Sequence, residues 1–141
     1  EIPKILSPLQ ANDFDVCIGS RFIEKTLGFQ STFMRRIGIR IFEGMSRVLI
    51  RKKITDSTSG FRAYNKQAIA FLAANYPTDY PEPETVILLG KNDFRIREVS
   101  VEMIERQGGE SSISGLKSAH YMVKVILAML MTAQRQKIRR I

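Results

Sequence analysis

Residues 55–64 read TDSTSGFRAY. Four hydroxyls, on Thr55, Ser57, Thr58 and Ser59, surround the carboxylate of Asp56 and run into Gly60. Side chains of this kind bond to nearby backbone and so oppose a continuing helix. An Asp before Ser and Thr is ordinarily a turn or cap residue. Gly60 permits a positive φ or a close backbone approach. GFRAY, residues 60–64, then reads as a short strand. The stretch therefore places a polar loop and a strand between two helical segments, and this alternation indicates an α/β architecture.

Upstream, Ser31 to about Arg51 reads as a helix with an apolar stripe of Met34, Ile37, Ile41, Met45 and Val48. Arg36, Arg40, Arg47 and Arg51 lie off that stripe. Before it come the loop SRFIEKTLGFQ, the apolar strand FDVCIG and IPKILSPLQAN, a short helix or helix end weakened by Pro8. Downstream, NKQAIAFLAAN reads as a helix capped by Asn65. A proline-rich connector, YPTDYPEPE, leads into the helix ETVILLGKN. FRIREVSVEMIER reads as a long strand, in which the apolar phase changes at Arg97–Glu98 and predicts a β-bulge or a change of partner. After the loop QGGESSISG, a final helix is expected from Leu116 to Arg140. The order is α, β, α, β, α, α, β, α. Three strands are few for a complete doubly wound domain, and the chain starts at Glu1 without Met, so it reads as a fragment whose beginning lies upstream.

The 141 residues are 44% apolar and 26% charged, which suits one folded domain and excludes a disordered chain. Cys17 is the single cysteine, so neither a disulfide nor a cysteine metal site can form within the chain. That fits a reducing compartment, with Cys17 as a small buried hydrophobe. The net charge is +8, and Ser111–Ile141 holds six basic residues and no acidic one. Such a segment favours an anionic partner. Tyr121 is its lone aromatic, which argues against a nucleic-acid platform. The apolar run Val125–Met131 is too short to cross a bilayer, which takes about 20 residues. Lys117, His120 and Lys124 recur at helical spacing, as in a helix lying at a membrane interface. The same pattern also suits a helix packed on the sheet or in a homodimer interface. His120, the only histidine, has no neighbouring ligand and reads as solvated surface.

Arginines stand at expected loop and strand ends: Arg21 after the first strand, Arg35 and Arg36 at the helix start, Arg62 after Gly60, and Arg106 after the last strand. A guanidinium there suits phosphate, because its planar fork donates two bonds to one group. Glu82 and Glu84 flank Pro83 at a helix start, where carboxylates are also structurally favoured.

Taken in order, DVCIGSRF, RRIG, TDSTSGFRAYNKQAI, YPEPE, FRIREVSVEMIERQGGESSI and YMVKVILAML resemble the C-terminal half of family 2 inverting glycosyltransferases. The closest branch is the dolichol- or polyprenyl-phosphate sugar transferases, with related bacterial enzymes of cell-wall and cell-surface polysaccharide biosynthesis. The resemblance implies a GT-A (Rossmann-like) fold. Residues 1–114 would form its acceptor-binding part and 115–141 an amphipathic basic helix. It implies a nucleotide-sugar donor and a lipid-linked or polysaccharide acceptor. Mg²⁺ or Mn²⁺ would be bound by an Asp-x-Asp motif of the missing nucleotide-binding half. Such an enzyme would be cytoplasmic and peripheral at the inner face of the membrane, and the chain alone is expected to be inactive.

By the same resemblance, Arg21 holds phosphate and Arg35 or Arg36 binds the acceptor's anionic end. Asp56, Ser59, Gly60 and Arg62 shape the acceptor loop, and Arg106 with Gln107 lies on a loop that closes over the site. Many family members carry a Glu-Asp base where this chain reads PEPE, which leaves Glu84 as the nearest candidate base, beside Asp56. A lipid phosphate is already ionised and needs no strong base, so the departure favours an anionic acceptor. Two rival readings stand beside this one: a non-catalytic membrane- or partner-binding module, and a basic nucleic-acid-binding domain.

Overall fold

A computed structural model describes residues 1–24, 33–102 and 116–138. They form α1 (Ile2–Gln10), β1 (Val16–Ser20), α2 (Phe33–Ile50), β2 (Arg62–Tyr64), α3 (Lys66–Asn75), α4 (Pro81–Lys91), β3 (Ile96–Ser100) and α5 (Leu116–Gln134). The order of helices and strands is the one the sequence predicts. The three strands form one mixed sheet in the order β2-β1-β3. Central β1 runs antiparallel to β2, with Val16 opposite Tyr64, and parallel to β3, with Ile18 opposite Glu98 and Ser20 opposite Ser100.

Both faces of the sheet are covered. Val16, Ile18 and Ile96 join the larger core with Phe42, Leu88, Phe94, Val125 and Met129 from α2, α4, the turn before β3, and α5. The opposite face carries Cys17, Ala63 and Val101 against Ile5 of α1. All five residues of β1 are buried, as its continuous apolar run requires.

This two-sided cover corrects the reading of the last strand. The β1–β3 register runs unbroken from Val16↔Ile96 to Ser20↔Ser100, with no bulge. Apolar residues occur in both phases because Ile96 points to one core and Val99 and Val101 to the other. The α2 stripe is also rotated by about one residue. Its buried positions include Phe42, Ser46 and Ile50, whereas Val48 is 78% exposed.

Local signals end the helices. Asn65 caps α3 by accepting from the Ala68 N–H at 2.9 Å. Pro81 opens α4 at the first helical position, where a missing N–H costs nothing. Helix α5 stops at Gln134, short of the expected Arg140. The tail is then tied to the end of α4: Ile138 N–H donates to Asn92 Oδ1 at 2.8 Å, Lys137 pairs with Asp93, and Lys91 Nζ donates to the carbonyls of Ala133 and Arg135.

Candidate functional site

The C-terminal ends of the parallel strands β1 and β3 lie on one edge of the sheet, the edge where open α/β sheets place ligands. The loop 55–61 is fastened to that edge. Gly19 is the hinge of the fastening. Its N–H donates to Phe61 O at 2.8 Å, and its carbonyl accepts from Ser59 Oγ at 2.7 Å. A Cβ at Gly19 would stand 2.6 Å from Phe61 Cδ1 and 3.0 Å from Val101 Cγ2, so only glycine lets the loop close on the strand. Gly60, expected to be the permissive glycine, is exposed, its φ lies outside the left-handed region that favours glycine, and a Cβ there would meet open space.

Beyond Gly19, Ser20 Oγ lies 2.7 Å from Thr55 Oγ1. Arg21 then meets Asp56 in a forked pair. Its Nε donates to Oδ2 at 2.7 Å, its Nη2 to Oδ1 at 2.8 Å, and its backbone N–H to Oδ2 at 3.2 Å. The Asp56 side chain is fully buried and that of Arg21 is 20% exposed. The hydrogen bonds Arg21 donates to the Asp56 carboxylate, opposed by burial, raise the Arg21 pKa further, so its charge is permanent. Arg21 Nη2 also donates to Thr58 Oγ1 at 3.3 Å. Its Nη1 makes no hydrogen bond among the described residues. Ser57 Oγ is likewise buried without a partner among them.

Arg62 spends its donors differently. It gives Nε to Ser59 O at 2.6 Å, Nη2 to Ser57 O at 2.7 Å and Nη1 to Glu82 O at 2.8 Å. Three carbonyls from two segments thus converge on one guanidinium, which ties the loop to the first turn of α4. On that helix Glu84 is buried. Its Oε1 accepts from the Tyr80 N–H at 2.8 Å, which caps the helix, and its Oε2 accepts from Thr132 Oγ1 of α5 at 2.9 Å. Arg21, Asp56, Ser59, Gly60 and Arg62 therefore belong to one assembly, with Glu84 joined to it through α4. Arg36 is an exposed residue of α2 and has no bond to this assembly. Arg35 also lies on α2, while Arg106 and Gln107 fall outside the described residues.

One residue of the assembly was not expected. Glu98, on β3, receives the Thr55 N–H at 2.8 Å and Thr55 Oγ1 at 3.0 Å on Oε2, and the Asp56 N–H at 2.8 Å on Oε1. The available signal was a carboxylate in phase with Ile96 on a strand covered on both faces.

A second region lies on α5. Val125 and Met129 are buried, and Tyr121 packs edge-on against Tyr80 with ring centroids 5.4 Å apart. The opposite face exposes His120, Val123, Lys124, Leu127, Leu130 and Met131, which recur at helical spacing, and exposed Arg135 follows just past the helix end. Leu127 is 54% and Met131 69% exposed, high values for side chains of their size. No acidic residue occurs on α5. Among the described residues, no helix is long and apolar enough to cross a membrane. Nor does any group of three or more His, Cys, Asp or Glu side chains among them stand ready to hold a metal ion.

No family model matches the chain. An uncharacterized protein of Methanocaldococcus jannaschii, MJ1222, is 26% identical over 123 residues, covering 83% of this chain and 51% of the relative. The chain thus spans about half the length of that relative.

Proposed function

We propose that the chain is the acceptor-binding half of an inverting GT-A glycosyltransferase of family 2, acting on a polyprenyl phosphate or another lipid-linked or polysaccharide acceptor. The observation that carries the reading is the Arg21–Asp56 pair at the end of β1. Asp56 pins the guanidinium in one orientation and leaves Nη1, which makes no hydrogen bond among the described residues, with two N–H donors for an anionic ligand. Support also comes from the order of the motifs, which follows that family through nearly the whole chain.

In the proposed reaction an acceptor oxygen attacks the anomeric carbon of the donor sugar. The bond from that carbon to the diphosphate breaks, and its electron pair leaves with the nucleoside diphosphate. With a phosphate acceptor the attacking oxygen is already ionised, so no proton need be taken. That suits the site, because Asp56 is committed to Arg21, and Glu84 to Tyr80 and Thr132. Both carboxylates then act by holding the loop and helix that line the site. Arg21 stabilises phosphate charge by position, with no reorganisation during reaction. Any Mg²⁺ or Mn²⁺ would be held by residues other than those described, and would neutralise the leaving diphosphate. The exposed α5 stripe, with its cations Lys124 and Arg135, would rest on the cytoplasmic leaflet where a lipid acceptor presents its headgroup.

That stripe also favours a second reading, a module that binds membrane or partner without catalysis. One experiment separates the two. The full-length protein is incubated with a panel of nucleotide sugars and with polyprenyl phosphate in vesicles, and release of nucleoside diphosphate is measured. Turnover with one donor, falling by about a hundredfold in Arg21→Ala, is expected from loss of an oriented charged donor. Absence of turnover across the panel, or an unchanged rate in Arg21→Ala, would favour the binding module.

A further inference from the structure

Glu98 is an ionisable side chain on β3 with no basic partner among the described residues. None of the ion pairs among the described residues involves it. Its carboxylate instead fills a cradle made by consecutive backbone N–H groups, those of Thr55 and Asp56, together with the Thr55 hydroxyl. Successive N–H groups of this kind form an anion-binding concavity. Here the anion is supplied by the protein itself, from 42 and 43 residues further along the chain.

The arrangement is electrostatically costly. Burial pushes the Glu98 carboxyl above its usual range, the three donors oppose that rise, and the Asp56 charge adds to it. A neutral residue of the same shape would avoid the cost. Glutamine, however, offers one acceptor oxygen in place of two, and its NH₂ would face an N–H donor. A carboxylate accepts from the consecutive Thr55 and Asp56 N–H groups on separate oxygens at once. Asp56 is the residue whose side chain grips Arg21, so the orientation of its backbone decides where the guanidinium stands.

We propose that Glu98 is a positioning residue: by clasping the Thr55–Asp56 backbone it sets the Asp56 carboxylate, and through it the Arg21 guanidinium, in the orientation that presents Nη1 to phosphate. The ligand class rests on the phosphate reading of Arg21 given above. The positioning role does not.

The test uses ¹⁵N-labelled protein. It measures the exchange protection of the Arg21 Nε–H signal and the affinity for inorganic pyrophosphate in wild type, Glu98→Gln and Glu98→Asp. In a folded Glu98→Gln variant, the expected outcome is loss of about tenfold in Arg21 Nε–H protection and about tenfold in pyrophosphate affinity, since small misplacements of an oriented group are costly. Glu98→Asp, which keeps the carboxylate, should recover part of both. A folded Glu98→Gln with unchanged protection and affinity overturns the proposal. If Glu98→Gln does not fold, Thr55→Val, which removes the hydroxyl's bonds to Glu98 and to Ser20, carries the same test, with Ser20→Ala as the control for the second bond. Reduced Arg21 protection then supports the role, and unchanged protection overturns it. Failure of wild type to bind pyrophosphate would overturn the phosphate reading of Arg21. Loss of protection in Glu98→Gln would still support the positioning role.

Discussion

The loop 55–62 and the outer face of α5 break the ordinary division of inside and outside in opposite directions. The loop buries Asp56, Ser57 and Ser59, and draws three carbonyl oxygens onto Arg62. The α5 face exposes Val123, Leu127, Leu130 and Met131. Polar burial is tolerated in the first region because nearly every group has a partner there, many of them charge-assisted. Apolar exposure in the second has no such local explanation, since exposed apolar clusters mark contact surfaces rather than cores. The difference separates two tasks. The loop holds charged groups rigidly, and the helix offers a surface.

The sharpest way to break this contrast is Asp56→Ala. It leaves Arg21 partly buried without its counterion, and breaking such a pair costs about 3–5 kcal/mol of stability. Chemical denaturation would measure it. A loss below 1 kcal/mol would show that the loop tolerates an unpaired arginine, and the distinction between the regions would fall. Next in size is the contrast across α5 itself. Met129→Ala, on the buried face, should cost about 2–5 kcal/mol. Met131→Ser, on the exposed face, should stay within about 0.5 kcal/mol. Equal losses in the two thermal-unfolding curves would mean that the outer face is also packed. The smallest effect concerns the two glycines. Gly19→Ala forces Phe61 and Val101 aside and should cost about 1–3 kcal/mol. Gly60→Ala, with open space around it, should be nearly neutral by the same measurement.

Much of the fold was legible without coordinates. The apolar run at FDVCIG, the Asn65 cap and the 3.6-residue spacing of α2 are local signals, and each element appeared in its expected order, although residues 81–84, read as the end of a proline-rich connector, form the first turn of α4. The site was legible as a cluster of residue types: Arg21, Asp56 and Arg62 were all singled out. Their pairing was not. Arg21 and Asp56 are 35 residues apart, and no periodicity announces their contact. The same limit applies to Arg62, which was expected to meet an anion and instead binds carbonyl oxygens.

Composition and short-range pattern by themselves determined the α/β class, the element order, the impossibility of a disulfide within the chain, and the basic, acid-free character of residues 111–141. These follow from the chain's local periodicities and from counting charges. The tertiary structure decided which glycine must be a glycine, which face of α2 is buried, and that Glu98 is a functional candidate rather than a strand irregularity. It also decided that Arg21 is pinned while Arg62 is consumed. Each of these depends on a partner brought near by the sheet register or by helix packing. A side chain's role is set by what surrounds it in space, and the sequence orders neighbours along one dimension only.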